Sequence, residues 1–247
     1  NKGMSKLPTD NFVDQYNMGG GIYLSDRAKA TQFGQYKHGG WLSKYASGGT
    51  ENVQPKPSNV SGKIIPTDAL KTFDFGSLEG QKQTKERNEY IHNNIVNNPD
   101  KSMSHEGETW NEAVGRVVPT MQDLIDNGPA NTVALTHNSV YGLIKLWDDQ
   151  GRPSEFNKEQ REKYTKQDGN FKTGDHFVIQ GANGPIYVVR HGETTDNKDG
   201  NFRRADAELT DKGIKQAQAV GKQLKDVDIP MVVSSSLPRA IHTSQLL

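Results

Sequence analysis

Two histidines and two arginines stand where short apolar runs end. IYVVRH (186–191) closes on Arg190 and His191, and NTVALTH (131–137) closes on His137. MVVSSSLPRA (231–240) carries Arg239 just beyond its last apolar residues. A lone histidine in such a place is most often a core or surface residue. Three runs ending alike change that reading, because ligands and catalytic groups collect at the carboxyl ends of strands in open α/β sheets. Imidazoles and guanidiniums gathered on one edge suit a phosphoryl group. Its charge is spread over three equatorial oxygens, so handling it is mainly positioning and charge stabilisation. Arginine offers those oxygens a planar, permanently charged fork. A neutral imidazole can attack phosphorus and split the reaction into two displacements. The guanidiniums supply the positive charge, and no array of carboxylates suited to a metal accompanies them. The chemistry is therefore expected to use no metal and no cofactor.

The elements that must hold these groups follow from periodicity. The runs at 131–137, 175–180, 186–191 and 231–235 are short, apolar and rich in β-branched residues, as buried strands are. Helical spacing predicts helices over 82–95, 107–126, 139–148 and 209–224, the last with Thr210 as its N-cap. Pro119 is expected to kink or split the second of these, and Pro238 suits the first turn of a last helix. Buried strands alternating with helices predict a three-layer α/β/α sandwich with a mostly parallel sheet. Residues 1–61 differ: glycine pairs and polar residues dominate, with one short strand near Ile22–Leu24. They read as a loop-rich appendage or a fragment of another domain, leaving 62–247 as the main domain.

Composition excludes several alternatives. The 30 basic and 30 acidic residues cancel, which argues against nucleic acid or an anionic membrane as a partner. Without cysteine there are no disulfides, thiolate nucleophiles or cysteine zinc sites. No apolar run approaches the length that spans a bilayer, and no signal peptide opens the chain. The expected setting is soluble and cytoplasmic. Lys158–Lys166 alternates with glutamates and reads as a solvated helix face. His38, His92, His105, His176 and His242 read as surface or satisfied histidines, and Trp110 and Trp147 as core.

The segment IYVVRHGETTDN resembles the Arg-His-Gly signature of the histidine phosphatase superfamily, the phosphoglycerate-mutase-like family. DAELTDKGIKQAQAVGKQL and VVSSSLPRAIHTSQ resemble its next two landmarks. Upstream, FDFGSLEGQ, HEGETWNEAVGRV and TVALTHNS resemble three more. The order is unusual, since the half with the second histidine precedes the half with the Arg-His-Gly strand. The chain thus resembles a circular permutant, with GANGP joining the halves. The resemblance implies a phosphomonoesterase that passes through phosphohistidine, acting on a small-molecule or protein phosphomonoester; a phosphomutase shares the first half-reaction.

Carried over by position, His191 is the implied nucleophile, and Arg190, Arg239 and His137 hold the phosphoryl oxygens. Asn197 matches a phosphate-contacting position, and either Arg203 or Arg204 matches a further basic one. The general acid departs from the pattern. In LKTFDFG, Thr72 stands where many relatives have glutamate, so Asp74 is the expected substitute, with Glu79, Glu108 and Glu193 in reserve. Asn138 replaces a common glycine and is expected to narrow the pocket. A phospho-ligand binding module with impaired catalysis is the rival reading. GGGIYLSDRAKATQFGQY faintly resembles a stretch of ADP-ribosyltransferases, too short to imply that activity.

Overall fold

In the computed structural model, residues 60–167 and 171–247 are described; the segment around Ile22–Leu24 and His38 lie outside them. The described residues belong to one compact unit, Ser58–Leu247. Its strands are β1 (Val60–Thr67), β2 (Thr132–Thr136), β3 (His176–Gly181), β4 (Gly184–Arg190) and β5 (Ile229–Ser235). The helices are α1 (Lys85–Asn97), α2 (Trp110–Asn127), α3 (Asn138–Asp149), α4 (Lys158–Gln167), α5 (Thr195–Asp199), α6 (Asp211–Gln223) and α7 (Pro238–Ser244).

The five-stranded sheet runs in the order β1-β5-β2-β4-β3. All neighbours are parallel except β3 and β4, which form a tight antiparallel hairpin. Strands from the first and last parts of the chain therefore interleave. β5 lies between β1 and β2, and β4 lies between β2 and β3. β2 is buried along its whole length, as a central strand covered on both faces must be. On one face Val133, Leu135, Val189 and Val232 pack with Val220 of α6 and Ala240 of α7. On the other, α2 packs against β3 and α3 against β4. The expected three-layer α/β sandwich is the observed fold.

The predicted helices start within three residues of their expected positions, and side-chain caps satisfy free N–H groups at α1, α2 and α6. Thr109 and Glu112 form a capping box on α2, and Thr210 caps α6 through Gly213 N. Pro238 is in the first turn of α7. Pro119 does not split α2, which runs unbroken from Trp110 to Asn127. The ring is on the exposed side, so water can serve the carbonyl that proline leaves unpaired, and Thr120 Oγ1 donates to the Arg116 carbonyl at 2.9 Å. Two elements were not foreseen. β1 hides behind a polar alternation typical of an edge strand, and α5 is only five residues long. No helix among the described residues is long and apolar enough to cross a membrane.

Candidate active site

β2 and β4 are adjacent and parallel with Thr136 beside Arg190, so the next residue on each, His137 and His191, emerge side by side. Their ring centroids are 4.9 Å apart. The His191 N–H donates to the Thr136 carbonyl at 3.1 Å, closing the register. β5 lies on the other side of β2 and hands Arg239 to the same edge through the first turn of α7. His137, His191 and Arg239 are all fully buried.

The hydrogen bonds assign the ring protons. Arg239 Nε donates to His137 Nδ1 at 3.2 Å, so that nitrogen is an acceptor and His137 Nε2–H donates to Ser235 Oγ at 2.7 Å. In His191, Nδ1–H donates to the Gly192 carbonyl at 2.6 Å. His191 Nε2 is therefore unprotonated, and it is buried with no hydrogen-bond partner among the described residues. Arg239 Nη2 is in the same condition, while Nη1 donates to the Arg204 carbonyl at 3.0 Å. Buried polar atoms left without partners are rare and call for a reason. Here a lone pair and a cationic donor are both left open beside the two imidazoles.

Burial, then the charge of Arg239, holds both histidines well below the usual imidazole range. Both are neutral at pH 7, the state a nitrogen nucleophile needs. Burial, and next the charge of Arg203, pushes the Arg239 guanidinium down to about 9, which still leaves it protonated at neutral pH.

Arg190 is buried, its Nη1 donates to the Phe171 carbonyl, and its charge acts on His191. Asn197 Oδ1 accepts from Thr194 N and Oγ1 at 3.1 and 2.9 Å, so the side chain serves the capping box of α5. The two candidate arginines separate clearly. Arg204 Nη2 and N reach the carboxylate of buried Asp196 at 3.0 and 2.9 Å. Arg203 acts electrostatically on His137, His191 and Arg239, whereas Arg204 is turned to Asp196.

The carboxylates divide as well. Glu193 is held ionised, chiefly by Lys212 Nζ at 2.7 Å, and also accepts from Thr210. Glu108 forms a two-point bridge to Arg116 at 2.7 and 3.0 Å and accepts the Asp74 N–H at 2.9 Å. Arg116 also donates to the carbonyls of Ala69, Lys71 and Thr72, so this pair clamps the loop that follows β1. Thr72 Oγ1 lies 3.1 Å from Ser139 Oγ in a buried hydroxyl pair. Asp74 is exposed, and its Oδ1 accepts the Gly76 N–H at 2.7 Å. The Glu79 carboxyl is raised, first by burial and then by the Asp74 carboxylate, against the pull of Arg239. Asn138 is buried in the first turn of α3, immediately after His137.

Sequence reasoning passed over two residues that organise the site. Ser235 holds the proton of His137, and Asp196 holds Arg204, whose carbonyl in turn supports Arg239. Ser235 carried a signal, since the last residue of a central strand points at the same edge as its neighbours' last residues. Asp196 carried none, being one of several acids in a polar loop.

The sequence profile of the histidine phosphatase superfamily (branch 1) matches residues 54–161 and 186–247, the two stretches that interleave in the sheet. The chain belongs to this superfamily. Among curated proteins, a probable fructose-2,6-bisphosphatase TIGAR A from Danio rerio is 44% identical over 64 residues, 25% of either chain. A probable phosphoglycerate mutase GpmB from Erwinia tasmaniensis is 38% identical over 63 residues, 25% of this chain and 29% of its own. An adenosylcobalamin/alpha-ribazole phosphatase from Escherichia coli K12 is 41% identical over 63 residues, 25% of this chain and 31% of its own. Each alignment thus spans under a third of the relative's length. No solved structure matches the chain. Within the superfamily, the matched second stretch holds Arg190, His191 and Arg239, and the first holds His137.

Proposed function

We propose that this chain hydrolyses a phosphomonoester through a phosphohistidine on His191. The carrying observation is the bare, buried Nε2 of a neutral His191 beside the open Nη2 of Arg239. In the first step the Nε2 lone pair forms a bond to phosphorus while the ester P–O bond breaks, and the leaving alkoxide takes a proton from a carboxylic acid. In the second, the resulting carboxylate takes a proton from water as the water oxygen bonds to phosphorus, the N–P bond breaks, and inorganic phosphate leaves. Arg239, Arg190 and Arg203 surround the charge that develops on the phosphoryl oxygens. His137 is engaged by Ser235 and Arg239, so its part on the phosphate requires one of those bonds to yield.

The proton donor is read as a choice between Asp74, the expected substitute, and Glu79. Holding a proton at neutral pH needs a raised carboxyl, and the upward shift of the Glu79 carboxyl, on an exposed residue beside Asp74, supports Glu79 as the acid. The relatives' names share a phosphate ester, which supports a phosphomonoester, small or on a protein, as the substrate. The interleaved halves support reading their order as a permutation of the superfamily's.

The neutral Thr72–Ser139 pair at the usual acid position favours one rival, a phospho-ligand binding module with weak catalysis. Two measurements separate the readings. Incubation with a 32P-labelled phosphomonoester is expected to give an acid-labile, base-stable phosphoprotein that His191→Ala abolishes. Labelling that survives in that variant refutes the nucleophile, and phosphate binding without turnover of p-nitrophenyl phosphate refutes hydrolysis.

A further inference from the structure

We infer that the hydroxyl of Thr243 is a positioning group for the nucleophile, acting on His191 through the Gly192 peptide. This rests on the assignment of His191 as nucleophile and extends it to a residue 52 positions away in sequence.

The chain of bonds is short and wholly buried. The Gly192 N–H donates to Thr243 Oγ1 at 3.2 Å, and the Gly192 carbonyl accepts His191 Nδ1–H at 2.6 Å. Thr243 has no exposed surface, so no water substitutes for it there. Its own hydroxyl proton goes to the Arg239 carbonyl at 2.8 Å. That donation leaves an oxygen lone pair for the Gly192 N–H and fixes which partner is donor at each bond. One hydroxyl thus ties the loop after the nucleophile to the helix that carries the anion-binding arginine.

The opposite side of the glycine is equally restrained. A Cβ on Gly192 would lie 2.2 Å from the Gly213 carbonyl, and one on Gly213 would lie 2.1 Å from the Glu193 carbonyl. The start of α6 therefore presses on the loop from one side, and Thr243 anchors it from the other. Only the orientation of the Gly192 carbonyl keeps the proton of His191 on Nδ1. Should that carbonyl turn away, Nδ1 loses its acceptor and nothing holds the proton there rather than on Nε2, the atom that must attack. The cost of losing the anchor is then a fraction of molecules in the wrong tautomer, together with a misaligned ring.

The test compares Thr243→Val with Thr243→Ser in the full chain. Valine matches threonine in shape and removes the hydroxyl, whereas serine keeps it. The first readout is the 15N spectrum of histidine-labelled resting protein, which needs no turnover. His191 is expected to show protonated Nδ1 in the parent and in Thr243→Ser, and a mixture of tautomers in Thr243→Val. The second readout is p-nitrophenyl phosphate hydrolysis, where Thr243→Val is expected to lower kcat about tenfold, the weight of one buried hydrogen bond. KM should move less than about twofold by the same reasoning, since Arg239 keeps its side-chain bonds. Thr243→Ser is expected to recover most of the lost rate. An unchanged His191 tautomer in folded Thr243→Val overturns the inference, and so does an equal loss in both variants. Failure of the nucleophile assignment is distinct: it shows as phosphate labelling in His191→Ala, whatever Thr243 does.

Discussion

Acid should destabilise this fold well before its carboxylates titrate. His137 and His191 are fully buried, and burial followed by the Arg239 charge holds both well below the ordinary value near 6.5. The sign follows from proton counts. Between the ordinary value and the depressed one, the unfolded chain binds protons that the folded chain refuses, so stability is present above about pH 6.5 and is lost as pH falls. At pH 5.5 an unfolded histidine is about nine-tenths protonated, which removes roughly 1 kcal/mol per site relative to pH 7.5 or above. The pair should therefore remove roughly 2–3 kcal/mol, a large share of a typical domain stability of about 5–15 kcal/mol. His242 is lowered by its own burial and adds in the same direction. Glu193 is lowered and contributes mostly below this window, whereas the raised Glu79 carboxyl takes up its proton earlier in the folded chain and offsets part of the loss. Urea unfolding followed by tryptophan emission reads the effect, since Trp110 and Trp147 are buried. Midpoints should fall from pH 7.5 to 5.5 in the parent and fall much less in the His137→Asn/His191→Asn double variant. Parallel pH dependence in the two proteins would refute the reasoning.

Two further outcomes follow from the site. Glu79→Gln should slow hydrolysis of an alkyl phosphate by about 10²–10⁴-fold and leave p-nitrophenyl phosphate nearly untouched, because a nitrophenolate scarcely needs an acid; the same split in Asp74→Asn instead would return the role to Asp74. Ser235→Ala strands the buried Nε2–H of His137, and thermal or urea unfolding should show a loss of about 1–3 kcal/mol along with reduced phosphatase rate; a variant as stable as the parent would mean that His137 finds its partner elsewhere.

The sequence alone determined the strands that matter. Short β-branched apolar runs are satisfied by burial in a sheet, and the residues that end the three parallel ones, β2, β4 and β5, appear at one edge. That argument reaches His137, His191, Arg190 and Arg239 without coordinates, and the cap at Thr210 and the fixed backbone of Pro238 mark helix starts locally. The tertiary structure decided everything that depends on which strands are neighbours. Only the order β1-β5-β2-β4-β3 brings two imidazoles to 4.9 Å and sets Arg239 against His137. It also separated Arg203 from Arg204, because the deciding partner, Asp196, meets Arg204 through a turn of loop that has no periodicity to read. Glu108, Glu193 and Glu79 look alike in sequence. Their surroundings diverge through Arg116, Lys212 and the neighbouring Asp74 carboxylate, respectively. Proton positions came last of all: the His137 tautomer is set by a bond to Ser235 that exists only after the halves of the chain have interleaved, and that of His191 by the local turn of the Gly192 carbonyl.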